Sequence, residues 1–245
     1  MHREELISLA VHCRGEYFRI LRALRQGTLI FETDKLPQNA LTILDPDYPE
    51  ILRSIPYPPF VLFYHGDLRL LKKETAAVVG SRKPCSYALE ATTALCRNHL
   101  REKVIVSGLA AGIDARAHCS AAHTIGILGC GIDRCYPAEN SQLIRRLAEE
   151  QLILSEYPDH CEPFAYHFPF RNRLIAALGK EVYVMQCSRR SGTMTTVTEA
   201  LRIGREIYCL PYRCNEPEGE GCNLLLSEGA NFIDAEMLTE KKNCA

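Results

Sequence analysis

The 245-residue chain has no tryptophan, no C-x-x-C pair and no apolar run approaching the roughly 20 residues a membrane span requires. Without tryptophan, ligand binding has to be followed through a label on the ligand. Without C-x-x-C, the twelve cysteines offer neither a zinc ribbon nor a redox dithiol. They are scattered, several inside apolar runs such as "ILGCG" and "EIYCLP", where a reduced cysteine packs as a small hydrophobe. That usage fits a reducing compartment, and a cytoplasmic, membrane-free protein is expected. The N-terminus carries Glu4 and Glu5 and lacks a signal-peptide pattern.

Net charge of one sign is also missing. Twenty-nine Lys and Arg meet thirty Asp and Glu, so no whole-molecule field draws in polyanions. A nucleic-acid site has to be a local patch. Between residues 171 and 213 eight basic residues face three acidic ones, whereas residues 214–236 hold six acids and no base.

The standard nucleotide signatures are absent too. No G-x-x-x-x-G-K-[ST] occurs, and G-x-G-x-x-G fails at "VVGSRKPC", where Arg82 and Cys85 stand in the glycine positions. "LGCGID" offers G-x-G without a final glycine at Arg134. His118 and His123 are five apart rather than four, and no H-E-x-x-H occurs. Cys187 and Ser191 have no G-x-S-x-G setting as nucleophiles. No cofactor, metal or catalytic residue is expected.

What is present is an alternation. Short apolar strands (76–79, 104–106, 124–128, 152–154, 181–185, 206–210) alternate with helical segments (85–99, 114–122, 140–150, 193–204). Such βαβ units predict an α/β fold: a Rossmann-like, doubly wound, mostly parallel sheet with helices on both faces. Before it, Leu6, Leu9, Ala10, Tyr17, Ile20, Leu21 and Leu24 predict two short helices separated by Gly15. The expected organisation is a short helical extension over 1–40, the core over 41–236 and a tail over 237–245.

In such folds ligands lie beyond the carboxyl ends of the strands. There the sequence places Gly80, Ser81 and Arg82, then Ser107 and Gly108, then Gly129 and Gly131, and finally Ser191 and Gly192. Glycine admits a close backbone, and hydroxyls with helix N-termini form anion concavities. Glycine at a βα corner also serves simply to turn the chain. In "FAYHFPFRNRLIAAL" four aromatic residues alternate before Arg171, Asn172 and Arg173. Arginine forks and aromatic faces are the ingredients of single-strand binding, although aromatics also fill cores and arginines also close internal ion pairs.

"VVGSR", "IVSGLAAGID", "GILGCGIDRCYPAEN", "ILSEYP", "FPFRNRLIAAL", "SGTMTTVTEALRIGREIYCLP" and "GCNLLLSEGA" follow one another in order. That series resembles the DNA-processing protein A family, DprA/Smf, over residues 41–236. The resemblance implies an extended Rossmann fold and single-stranded DNA binding that protects the strand. It further implies loading of the RecA recombinase in natural transformation, with no catalytic reaction. It implies that Arg82 contacts DNA, and that Ser81, Ser107, Gly108, Gly129, Gly131, Asn140, Arg171, Asn172, Arg173, Ser191 and Gly192 line the same cleft. It implies a homodimer through the C-terminal part of the core, where Leu224, Leu225 and Leu226 offer an apolar patch or one buried helix face.

The chain departs from the family pattern at Ala111 and Ser141, where basic residues are common, with Arg116 and Arg134 as candidates to supply the missing charge. No C-terminal winged helix is expected after Ala245. Two other readings stand beside this one. "SGTMTTVTEA" is similar to the G-G-x-G-T-x-x-E motif of nucleoside-monophosphate phosphoribohydrolases, with Glu199 and Arg173 as the catalytic candidates. A DNA-independent interaction module with the same fold is the other.

Overall fold

The computed structural model describes residues 2–27 and 36–240. Among them one sheet is built from β1 (Ala40–Thr42), β2 (Val61–Gly66), β3 (Thr75–Gly80), β4 (Val104–Ser107), β5 (His123–Ile127), β6 (Leu152–Ser155), β7 (Glu181–Gln186), β8 (Glu206–Cys209) and β9 (Asn231–Phe232). The strands lie in the order β1-β2-β6-β5-β4-β3-β7-β8-β9. From β6 to β9 every neighbouring pair is parallel. Only β1 with β2 and β2 with β6 run antiparallel. The expected Rossmann-like, mostly parallel sheet is the fold of the chain.

Alternation along the central strands explains their continuous hydrophobicity. Ala77, Val79, Val104, Val106, Val182 and Val184 face one side, into a core closed by α3 (Glu50–Ser54), α7 (His167–Leu178), α8 (Thr193–Arg202) and α9 (Glu220–Ser227). Ala76, Val78, Ile105, Tyr183 and Met185 face the other, under α4 (Ser86–Arg97), α5 (Ile113–Ser120) and α10 (Ala235–Leu238). A strand buried on both faces has no polar side to show.

The first helices, α1 (Arg3–His12) and α2 (Tyr17–Arg25), pack on the antiparallel end of the sheet with α6 (Ser141–Glu150). Leu6, Ile7, Leu9, Ala10 and Ile20 share a cluster there with Ala40, Val61, Phe63 and Ile153. Gly15 joins the two helices at φ 71, and a Cβ on it would stand 2.2 Å from the Glu156 carbonyl oxygen. Only glycine combines that backbone with that approach. Of the expected 1–40 extension, residue 1 and residues 28–35 lie outside the described residues. The expected 237–245 tail begins inside α10, and its residues 241–245 also lie outside them.

Candidate functional site

From β3 the chain winds one way, through β4 and β5 to β6, and then returns to β7 on the opposite side of β3. Crossovers diverge at such a point, leaving a crevice beyond the carboxyl ends of the strands. Here that crevice is a cleft of about 660 Å³. The end of β3 supplies Gly80, Ser81 and Arg82, α7 supplies Arg171 and Asn172, and the approach to α8 supplies Ser191 and Gly192.

Two arginines enter the cleft at different depths. Arg82 is exposed and, among the described residues, pairs with no carboxylate; Lys83 beside it is exposed as well. Arg171 is 5% exposed and donates from Nη1 to the Gly108 carbonyl (2.8 Å) and to the Ile127 carbonyl. Its Nε is buried without a hydrogen-bond partner among the described residues. Asp114 lies beside it, its carboxylate accepting from the backbone N–H groups of Gly108 (3.1 Å) and Ala110 (3.3 Å). Burial lowers the pKa of Arg171 to about 10 and raises that of Asp114, while each charge pulls the other back toward ionisation.

The polar groups around them are set by local bonding. Ser81 Oγ accepts from the Lys83 N–H (3.1 Å), shaping the corner after β3. Asn172 donates from Nδ2 to Thr195 Oγ1 (2.6 Å), fastening α7 to the first turn of α8. Among the described residues Ser191 Oγ is buried with no partner, and a Cβ on Gly192 would meet nothing within 4 Å. The N-terminus of α8 opens onto the cleft, presenting N–H groups and the positive end of the helix dipole. Asp114 and Glu218 are the carboxylates on its lining.

Six residues expected to line the cleft are placed elsewhere. Ser107 is buried and donates from Oγ to the Val78 carbonyl (2.6 Å). Gly108 lies under Arg171, where a Cβ would stand 2.7 Å from Nη2. Gly129 makes room for the Phe168 ring, and Gly131 donates its N–H to the Cys161 carbonyl (2.8 Å). Asn140 donates from Nδ2 to the carbonyl of Leu109, a residue with φ 59 (2.9 Å). Arg173 points away from the cleft, its guanidinium gripping Glu156 with bonds of 2.7 and 2.5 Å. None of the six is among the residues that line the cleft.

The structure also places the remaining candidates. Arg134 pairs with Glu162 at 2.7 Å, and Arg116 opens on a separate groove with Arg97 and Glu90. Leu225 is buried in the core, while Leu224 and Leu226 are both partly buried, so the three leucines lie nearer to one buried helix face than to an open patch. Glu199 lies outside the cleft lining and pairs with Arg202 at 3.2 Å. Conversely, Lys83, Thr193, Thr195 and Thr196 line the cleft without having been singled out. They belong to the same "GSRKP" and "SGTMTT" corners, which was the available signal.

A model of the family described as DNA recombination-mediator protein A matches residues 39–242. The chain belongs to that family. It is 38% identical over 201 residues to DNA processing protein DprA of Bacillus subtilis, covering 80% of this chain and 68% of that protein. With DprA of Streptococcus pneumoniae it shares 38% over 206 residues, covering 82% and 72%. With protein Smf of Synechocystis it shares 41% over 207 residues, covering 80% of this chain and 52% of that one. The chain thus spans about half the length of that Smf relative.

Among solved structures, S. pneumoniae DprA superposes with a TM-score of 0.79 at 35% identity, covering 89% of this chain and 78% of that one. DNA processing protein A of Helicobacter pylori, a structure concerned with its single-stranded DNA binding mode, gives 0.73 at 33%, covering 79% and 90%.

Proposed function

We propose that the chain is a single-stranded DNA-binding protein that receives a backbone phosphate in the cleft beyond β3. The observation that carries this reading is Arg82: exposed, without an ion-pair partner among the described residues, and lining a cleft shared with buried Arg171 and the N-terminus of α8. A guanidinium held without a carboxylate beside a second one repels it, and a bound anion removes that repulsion. Ser191 Oγ and Arg171 Nε are spare donors in the same place. Phosphate contacts of this kind position a strand without reading its bases.

The H. pylori relative supports single-stranded DNA as the ligand, and the family's description supports a role in recombination. The full reading is a cytoplasmic homodimer that protects single strands and delivers them to the RecA recombinase. Among the described residues no helix is long and apolar enough to cross a membrane. Binding rather than turnover is favoured because both phosphoribohydrolase candidates are engaged outside the cleft, Glu199 by Arg202 and Arg173 by Glu156.

The test titrates a labelled oligo-dT and a duplex of equal length by fluorescence anisotropy, with nucleoside monophosphates assayed in parallel for released base. Saturable binding that prefers the single strand, with no base released, is expected. Steady release of base, or no binding of either DNA at low salt, contradicts the proposal.

A further inference from the structure

Helix α2 carries an unusual outward face. At 3.6 residues per turn, Phe18, Arg19, Arg22 and Arg25 fall on one side of the helix, opposite the inward Tyr17, Ile20, Leu21 and Leu24. All four outward residues are exposed, Phe18 at 59%, and among the described residues none of the three arginines has an ion-pair partner. Like charges three residues apart on a helix repel one another. The helix dipole favours Arg22 and Arg25 in the last turn, but it opposes Arg19 near the start and says nothing of Phe18.

This face is continuous with the cleft. Pro163 and Ala165 line the cleft, and Phe164 and Tyr166 beside them are exposed and stacked, with ring centroids 5.8 Å apart and planes at 10°. Tyr166 donates its hydroxyl to Glu16, the residue that caps α2 (2.7 Å). Glu16 also pairs with His167 Nε2 at 3.0 Å, so the carboxylate at this seam is already engaged. Arg19 stands close enough to Tyr166 to act on its hydroxyl. On the far side of Phe18 lies Tyr57, its ring 5.5 Å away, held at φ 59 with its carbonyl accepting from Arg173.

Unpaired cations interleaved with exposed aromatic rings suit one ligand chemistry, a flexible polyanion whose units have stackable faces. We infer that a single strand leaving the cleft passes over the Phe164–Tyr166 stack and onto the outward face of α2, where Arg19, Arg22 and Arg25 meet its phosphates and Phe18 stacks a base. The inference rests on the reading of the cleft as a single-strand site, which it extends into a longer footprint that includes the N-terminal helices.

The test compares the wild-type chain, the triple variant R19Q/R22Q/R25Q, Phe18→Ala and Arg82→Ala on oligo-dT of about 6 and about 25 nucleotides, spanning the site sizes usual for single-strand grooves. The substituted side chains are exposed, so an unchanged Tm is the check on folding. On the long strand the triple variant is expected to bind more weakly, with the slope of log affinity against log salt reduced by about 2, or about 0.7 for each lost phosphate contact. Phe18→Ala is expected to weaken the long strand by about 5- to 150-fold. Both variants are expected to bind the short strand as the wild type does.

A triple variant that binds the long strand with wild-type affinity and slope overturns the inference. The cleft is read separately: if Arg82→Ala changes neither strand while the triple variant weakens the long one, the cleft reading fails and the α2 face stands. If the wild type binds neither strand at low salt, both are wrong.

Discussion

Arg171 and Arg173, two residues apart on α7, turn to opposite sides of it: Arg171 faces the cleft, and Arg173 closes a two-pronged ion pair on Glu156. Two positions along an α-helix correspond to about 200° of rotation, so a pair written R-N-R cannot put both guanidiniums in one pocket. Arg173 is further enclosed by the Phe170 ring, 3.8 Å from its guanidinium carbon. The two arginines therefore have separable consequences.

Arg173→Ala is expected to act on stability. It strands Glu156 as a buried charge, a loss of about 3–5 kcal/mol. Arg82→Ala removes an exposed side chain and should leave stability within about 0.5 kcal/mol. Urea unfolding of the two variants checks this. Equal stabilities would mean that the Glu156 pair is not the internal brace described here.

Gly108 and Gly192 both flank the site, yet their surroundings differ. A Cβ at Gly108 runs into the Arg171 guanidinium, which the carbonyls of Gly108 and Ile127 hold in place. Gly108→Ala is expected to cost about 1–3 kcal/mol through overpacking. A Cβ at Gly192 meets open space at an ordinary φ of −60, so Gly192→Ala should be neutral or stabilising by about 0.4–1 kcal/mol. Thermal melts of the two variants should move in opposite directions or, at the least, separate clearly.

His118 makes a pH prediction. It is buried, with Nδ1 against Thr124 Oγ1 and Nε2 without a partner among the described residues. Thr124 gives its own proton to the Ile105 carbonyl (2.8 Å), so the imidazole donates from Nδ1, and burial keeps the ring neutral. Burial, with Arg171 and Arg146 nearby, holds its pKa at about 3 against 6.5 when free. Between these values the unfolded chain takes up a proton that the folded protein refuses. The stability it confers is therefore whole above pH 6.5 and lost as the pH falls, by up to about 1.4 kcal/mol per unit. Asp114, raised by burial, works in the opposite direction. Comparison with His118→Gln at about pH 7.5 and about pH 5.5 isolates the histidine: the stability gap between the two proteins should narrow by about 1.4 kcal/mol. A constant gap contradicts a neutral His118.

The central fold was legible because buried parallel strands leave a strong mark. "TAAVVG" and "EVYVMQ" are apolar on both faces, and the expected strands from 76 to 210 fall on β3 to β8 with ends shifted by a residue or so. β1 and β9 were not legible, since three and two residues are too short to show a period. The antiparallel pairing of β2 was equally hidden, because it depends on contacts with β6 about ninety residues away.

At the site, the corners holding Arg82 and Ser191 could be read because strand ends meet at the switch point. The positions of Ser107, Asn140 and Arg173 could not. Their hydrogen-bond partners, Val78, Leu109 and Glu156, are set by packing between segments remote in sequence.

The central claim is that Arg82 meets a DNA phosphate, and the most direct measurement is the salt dependence of oligo-dT binding by wild type and Arg82→Ala, followed by anisotropy of a labelled strand. The prediction is a steep negative slope for the wild type and, for Arg82→Ala, weaker binding with a slope shallower by about 0.7, the signature of one lost phosphate contact. An Arg82→Ala protein whose affinity and slope both match the wild type would contradict it.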